Sequence, residues 1–142
     1  LAQKPHSIWV ANRSVDKAVQ LVARHASLAQ SMGVDCQAYG LTHEAILGQS
    51  FDLVINASSS SLHNAALPVP ASVLQSNGLA CDLMYGPAAQ AFMQWAHAHG
   101  TEARDGLGML VEQAAASFQL WRGVQPPTQQ VLADLRALVS HA

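Results

Sequence analysis

Short apolar runs alternate with helical patterns along this chain, and that alternation limits its architecture more than any other feature. Ile8–Asn12, Cys36–Leu41, Asp52–Ala57 and Leu79–Met84 read as strands, with Glu102–Arg104 as a shorter fifth. Val15 to Ser31, Ala88–His97 and Leu107–Arg122 read as helices, and Thr42 is placed to cap a short one over Glu44–Leu47. Ser14 stands at the N-cap position of the first helix and Gly33 at its stop. A loop with Pro68 and Pro70 leads to a turn around Val73. Pro126 and Pro127 separate the Leu107–Arg122 pattern from the last helix, Thr128 to Ser140, whose Val131, Leu132, Leu135, Leu138 and Val139 form one apolar stripe. Strands alternating with helices imply parallel pairing through right-handed crossovers. Apolar strands imply a sheet covered on both faces. The expected class is α/β, a doubly wound, mostly parallel sheet.

The 142 residues are one domain's worth, half of them hydrophobic and only 11% charged, which excludes a disordered chain. A net charge of -2 gives no general attraction to nucleic acid or to an anionic membrane, so neither is an expected partner and any anion site must be local. No apolar run approaches the ~20 residues of a membrane span. Cys36 and Cys81 make no disulfide framework, which points to the cytoplasm. The seven histidines are scattered, and His97 and His99 do not share a helix face, so no metal is expected. Leu1 to Ser7 has neither an initiator Met nor the form of a signal peptide, and is expected to be the middle of a longer chain.

In a doubly wound nucleotide-binding sheet the second strand normally ends in an acid that hydrogen-bonds a ribose 2′-hydroxyl. Here the strand ends in Asn12 and Arg13, followed by Ser14, with Lys17 one helical turn beyond Arg13. Two cations beside a neutral residue suit a 2′-phosphate, hence NADP over NAD. The plainer reading is a solvated helix face; cations at a helix N-terminus oppose the macrodipole, which a bound anion would offset. Asn56-Ala57-Ser58-Ser59 and Asp82-Leu83-Met84-Tyr85 end later strands at the carboxyl edge where ligands bind. A polar turn and a half-buried tyrosine are the plainer readings of these two. Asp105-Gly106-Leu107-Gly108-Met109 opens a helix, with Gln113 on the side of Met109, and its two glycines permit close backbone approach. Core packing for Met109 and a helix-edge polar residue for Gln113 are the alternatives.

No G-x-S-x-G elbow is present, and the serine run after Asn56 has no base placed by sequence. No G-x-G-x-x-G follows any strand either, so the expected sheet lacks its first strand and Gly-rich phosphate loop, with Leu1–His6 as the tail of the missing helix. In the order 3-2-1-4-5-6 that first strand is central. Its loss leaves two inner strands unpaired, and a distorted sheet or association with another chain is expected.

The strings Ala11-Asn12-Arg13-Ser14 with Lys17-Ala18, Asp52-Leu53-Val54-Ile55-Asn56-Ala57-Ser58-Ser59, Cys81-Asp82-Leu83-Met84-Tyr85, and Asp105-Gly106-Leu107-Gly108-Met109-Leu110-Val111-Glu112-Gln113-Ala114-Ala115 occur in an order that resembles the shikimate dehydrogenases. The last string is the most specific. The resemblance implies a Rossmann-like, C-terminal NADP-binding domain over 1–142, with helices 107–122 and 128–140 at its end and the N-terminal substrate domain absent. It implies reduction of 3-dehydroshikimate to shikimate with NADPH, in chorismate and aromatic amino-acid biosynthesis. By resemblance Asn12, Arg13, Ser14 and Lys17 surround the 2′-phosphate. Ala57, Ser58, Ser59 and Leu83 line the nicotinamide ribose, Gly106 meets the nicotinamide through its backbone, and Met109 packs nearby. Tyr85 and Gln113 match substrate-contacting positions. The proton-transfer lysine and aspartate belong to the absent domain, so no catalytic residue is assigned here and the chain alone is expected to be inactive, with the missing domain or a homo-oligomer as partner. The alternatives are a quinate/shikimate dehydrogenase, another NADP reductase of similar fold, and a nucleotide-binding module without chemistry.

Overall fold

The computed structural model describes residues 1–42, 44–58 and 69–139. Five strands alternate with helices: β1 (Ser7–Asn12), α1 (Val15–Met32), β2 (Asp35–Gly40), α2 (Glu44–Leu47), β3 (Phe51–Asn56), β4 (Leu74–Asp82), α3 (Gln90–Ala98), β5 (Glu102–Arg104), α4 (Leu107–Arg122) and α5 (Thr128–Val139). Every strand pair is parallel. The α/β class is as the alternation requires. The chain divides into two compact units, the first built on Leu1–Gln49 and the second on the chain from Ser50.

The hydrogen-bonded ladder divides at the same place, into a two-stranded sheet β1-β2 and a three-stranded sheet β3-β4-β5. Among the described residues β1 and β2 pair only with each other, and β4 lies between β3 and β5.

In the first unit, Trp9 of β1 stacks on Tyr39 of β2 with centroids 4.7 Å apart. Their side chains share a face because Trp9 pairs with Gln37, two residues before Tyr39. α1 packs on β1 and β2, where its Ala18 and Ala29 are buried, and Val34 and Ile46 are buried too. Gly33 closes α1 in the left-handed conformation, φ 69°, and its amide donates to Ala29 and Gln30 carbonyls. Ser14 occupies the N-cap position with extended dihedrals, but its hydroxyl makes no capping bond. The turn is held instead by the Asn12 Oδ1, which accepts the Ser14 amide at 3.0 Å.

The core of the second unit is Ala80, Phe92 and Ala96, with Leu74, Trp95 and Ala103 packed around it. Leu107, Val111 and Ala115 bury one stripe of α4. Two expectations need correction, and α5 adds a further observation. β4 starts at Leu74, five residues before the apolar run, and its pairing with β3 shifts register between Phe51 and Leu53. Gly78 allows the shift: a Cβ there would lie 3.0–3.1 Å from the carbonyl oxygens of Gln75, Asp52 and Phe51. The sheet is not covered on both faces at β3, where Leu53 and Ile55 are 48% and 54% exposed. Finally, the apolar stripe of α5 buries none of its residues fully.

Candidate functional site

The sequence-derived candidates fall into two clusters, one in each unit. Asn12, Arg13, Ser14 and Lys17 gather at the carboxyl end of β1 and the first turn of α1, all exposed. The Asn12 side chain folds over the Ser14 amide, and the Lys17 amide donates to the Ser14 carbonyl at 3.0 Å. These bonds set a tight turn with Arg13 between them. Among the described residues neither Arg13 nor Lys17 meets a carboxylate within salt-bridge distance. Two exposed cations at the positive end of a helix dipole are an unfavourable arrangement that an anion would relieve.

The second cluster lies where β3, β4 and β5 end. Ala57 and Ser58 follow β3, Leu83 and Tyr85 follow β4, and Gly106, Met109 and Gln113 follow β5. Ser59 lies outside the described residues. Met109 is half exposed, so core packing is not its role, and Gln113 is exposed one helical turn beyond it.

A buried polar network that the sequence reading left out of the site holds these strand ends together. Asp82 is 1% exposed; its carboxylate accepts the Asn56 side-chain amide at 3.0 Å and the Met84 amide at 2.8 Å. The Asn56 Oδ1 accepts both the amide (3.1 Å) and the hydroxyl (2.7 Å) of Ser58, and the Asn56 carbonyl accepts the Leu83 amide at 3.0 Å. Burial makes such groups costly unless all are paired, so the network fixes the loops that follow β3 and β4. Its sequence signal was a polar residue ending each apolar strand.

The turn after β5 is locked against the turn after β4. The Gly106 amide donates to the Met84 carbonyl at 2.8 Å. A Cβ on Gly106 would come within 2.7 Å of the Leu83 carbonyl carbon, so only glycine fits there. The Asp105 side chain, 7% exposed, accepts the Gly86 amide at 3.3 Å, the Leu107 amide at 3.2 Å, and both Nη atoms of Arg136 at 2.6 and 2.5 Å. Burial alone would raise the Asp105 carboxyl. The Arg136 guanidinium and the two amides outweigh it and bring the group below the usual carboxylate range. Burial pushes the Cys81 thiol up, with Arg104 offsetting it only in part, which favours the protonated thiol.

Residues 106–136 match the family model for the shikimate 5′-dehydrogenase C-terminal domain. A shikimate dehydrogenase (NADP(+)) from Methylibium petroleiphilum is 54% identical over 97% of this chain, which covers 46% of that relative. Over nearly its whole length the chain is similar to the shikimate dehydrogenases. It spans about half the length of the curated shikimate dehydrogenases it matches. An Ael1 enzyme from Pseudomonas putida is 41% identical with a TM-score of 0.75, over 92% of this chain and 46% of that one. A shikimate dehydrogenase solved in complex with NADP+ is 26% identical with a TM-score of 0.74, over 96% of this chain and 48% of that one. The stretch matching the shikimate dehydrogenase domain model begins at the buried Gly106 and ends at Arg136, the partner of Asp105.

Proposed function

We propose that this chain is the NADP-binding domain of a cytoplasmic shikimate dehydrogenase, working with a substrate domain that supplies the groups for proton transfer. The whole protein would reduce 3-dehydroshikimate to shikimate in aromatic amino-acid biosynthesis. Identity above 50% to shikimate dehydrogenases (NADP(+)) supports the activity. The observation that carries the choice of cofactor is that Arg13 after β1 and Lys17 in the first turn of α1 meet no carboxylate among the described residues, where an NAD-binding sheet carries an acid.

The donor set suits the cofactor. Arg13 offers a planar fork to a 2′-phosphate and Lys17 a second cation. The Asn12 side chain is committed to the turn, and the Ser14 hydroxyl makes no capping bond and is left for the phosphate. Ala57, Ser58 and Leu83 line the nicotinamide ribose side, and Met109 packs near the ring. The Gly106 amide is taken by Met84 and its carbonyl accepts the Leu110 amide, so the remaining lone pair of that carbonyl is the polar handle it offers a nicotinamide carboxamide. Tyr85 and Gln113 hold the ring ketone substrate. NADPH supplies the hydride when bound.

Titrating the chain with NADPH and NADH tests this reading. NADPH should bind more tightly, and Arg13→Ala should remove that preference, lowering NADPH affinity roughly tenfold, the equivalent of about 1.4 kcal/mol, with NADH affinity unchanged. The chain alone should give no shikimate-dependent reduction of NADP+. Equal affinity for the two cofactors would overturn the role of Arg13, and turnover by the chain alone would overturn the division of labour.

A further inference from the structure

We propose that Arg136 of α5 is a positioning residue: through the Asp105 carboxylate it holds the Tyr85–Gly86 and Asp105–Leu107 turns in the one arrangement that takes a nicotinamide. The inference rests on the functional reading above for the identity of the ligand, and on geometry alone for the clamp. Three observations carry it.

First, Asp105 is a hub. One oxygen accepts from Gly86 and Arg136, the other from Leu107 and Arg136, so a single buried carboxylate ties the turn after β4, the turn after β5 and the last helix together. Second, Arg136 is 31 residues from Asp105 and half exposed, so the cation of the clamp comes from outside the loops it holds. Third, α5 bears on the same turn a second time. Gly86 has φ +62°, and a Cβ on it would strike the Val139 side chain. This double contact at Asp105 and Gly86 adds to the packing of α5 on α4.

The consequence is specific. Removing the guanidinium leaves a buried carboxylate held by two backbone amides, and the hub must open to water to be solvated. Opening releases Gly86 and Leu107, while the Met84 amide stays bound to Asp82. Leu83 and Gly106, which the functional reading sets beside the nicotinamide, then lose their fixed spacing. Lysine restores the charge but not the two-pronged geometry.

The test compares the unsubstituted chain with Arg136→Ala, Arg136→Lys and a control destabilised elsewhere, Val34→Ala. Amide hydrogen exchange is read at Gly86, Leu107 and Met84, and NADPH binding by the shift of the Gly106 amide resonance. Arg136→Ala should speed exchange at Gly86 and Leu107 at least tenfold with Met84 unchanged, and weaken NADPH five- to tenfold. Arg136→Lys should recover part of both effects, and Val34→Ala should show neither. Unchanged protection at Gly86 and Leu107, or equal loss of NADPH affinity in the Val34→Ala control, overturns the proposal. Faster exchange in an Arg136→Ala chain whose unsubstituted parent takes up no NADPH supports the clamp and overturns the functional reading instead.

Discussion

Gly106 and Gly108 stand two residues apart, and alanine should act on them in opposite directions. Gly106 has φ −75°, open to any residue, so its requirement is purely one of space. An alanine Cβ would fall within 2.7 Å of the Leu83 carbonyl carbon, and backbone cannot swing aside as a side-chain tip can. The turn is also held by the Gly106–Met84 bond and by the Asp105 carboxylate, so relief must come from breaking one of these. Overpacking costs about 1–3 kcal/mol and the lost hydrogen bond about 0.5–1.5 kcal/mol net. Together Gly106→Ala should lose roughly 2–4 kcal/mol. Around Gly108 a Cβ meets nothing within 4 Å, and the residue lies inside α4, so Gly108→Ala should gain about 0.5–1 kcal/mol from helix propensity. Urea unfolding followed by circular dichroism, with equal slopes required of all three chains, reads both values. A loss below about 1 kcal/mol for Gly106→Ala, or a loss of similar size for Gly108→Ala, would refute the steric argument.

Two further outcomes follow from the buried acids. Asp82→Ala leaves the Asn56 side chain and the Met84 amide without their acceptor and should cost about 2–5 kcal/mol, while Asp82→Asn, which keeps one acceptor, should cost less; thermal melts order the two. Asp105 carries a folded-state pKa below its unfolded value, so its contribution is fully present above the unfolded pKa, near ~4, and is lost as pH falls through the folded one. The stability gap between the unsubstituted chain and Arg136→Ala should therefore stay constant from neutral pH down to about 5 and close below about 4. A gap that persists in acid would show that Arg136 acts through packing rather than through the carboxylate.

The sequence carried the elements whose signal is local. β5 and α4 lie where their patterns begin and end, because Gly106 and Gly123 bracket α4 and Pro126 and Pro127 stop any continuation. β4 was legible only from Leu79, since Leu74 to Gly78 has no apolar alternation and joins the strand through backbone bonding around a register shift. Arg13, Gly106 and Tyr85 could be named as candidates because position at a strand end gives each a chemical meaning. The Asn56–Asp82 bond and the Asp105–Arg136 pair were not, because partners 26 and 31 residues apart meet only once the strand register and the docking of α5 are set. The apolar stripe of α5 shows which side of that helix can be buried, and how much is buried depends on what packs there.

The division of the ladder into β1-β2 and β3-β4-β5 also bears on cooperativity. Each unit has its own strand pairing and its own buried residues. The interiors are unequal: one is made of Ala18, Ala29, Val34 and Ile46, the other includes Phe92, Leu107 and Val111. Calorimetry that resolves two transitions should show the smaller interior melting first, and a single fitted midpoint would then average two events. A ligand gripped by one unit alone would raise that unit's transition and leave the other in place, so the melting profile itself reports which unit a ligand engages.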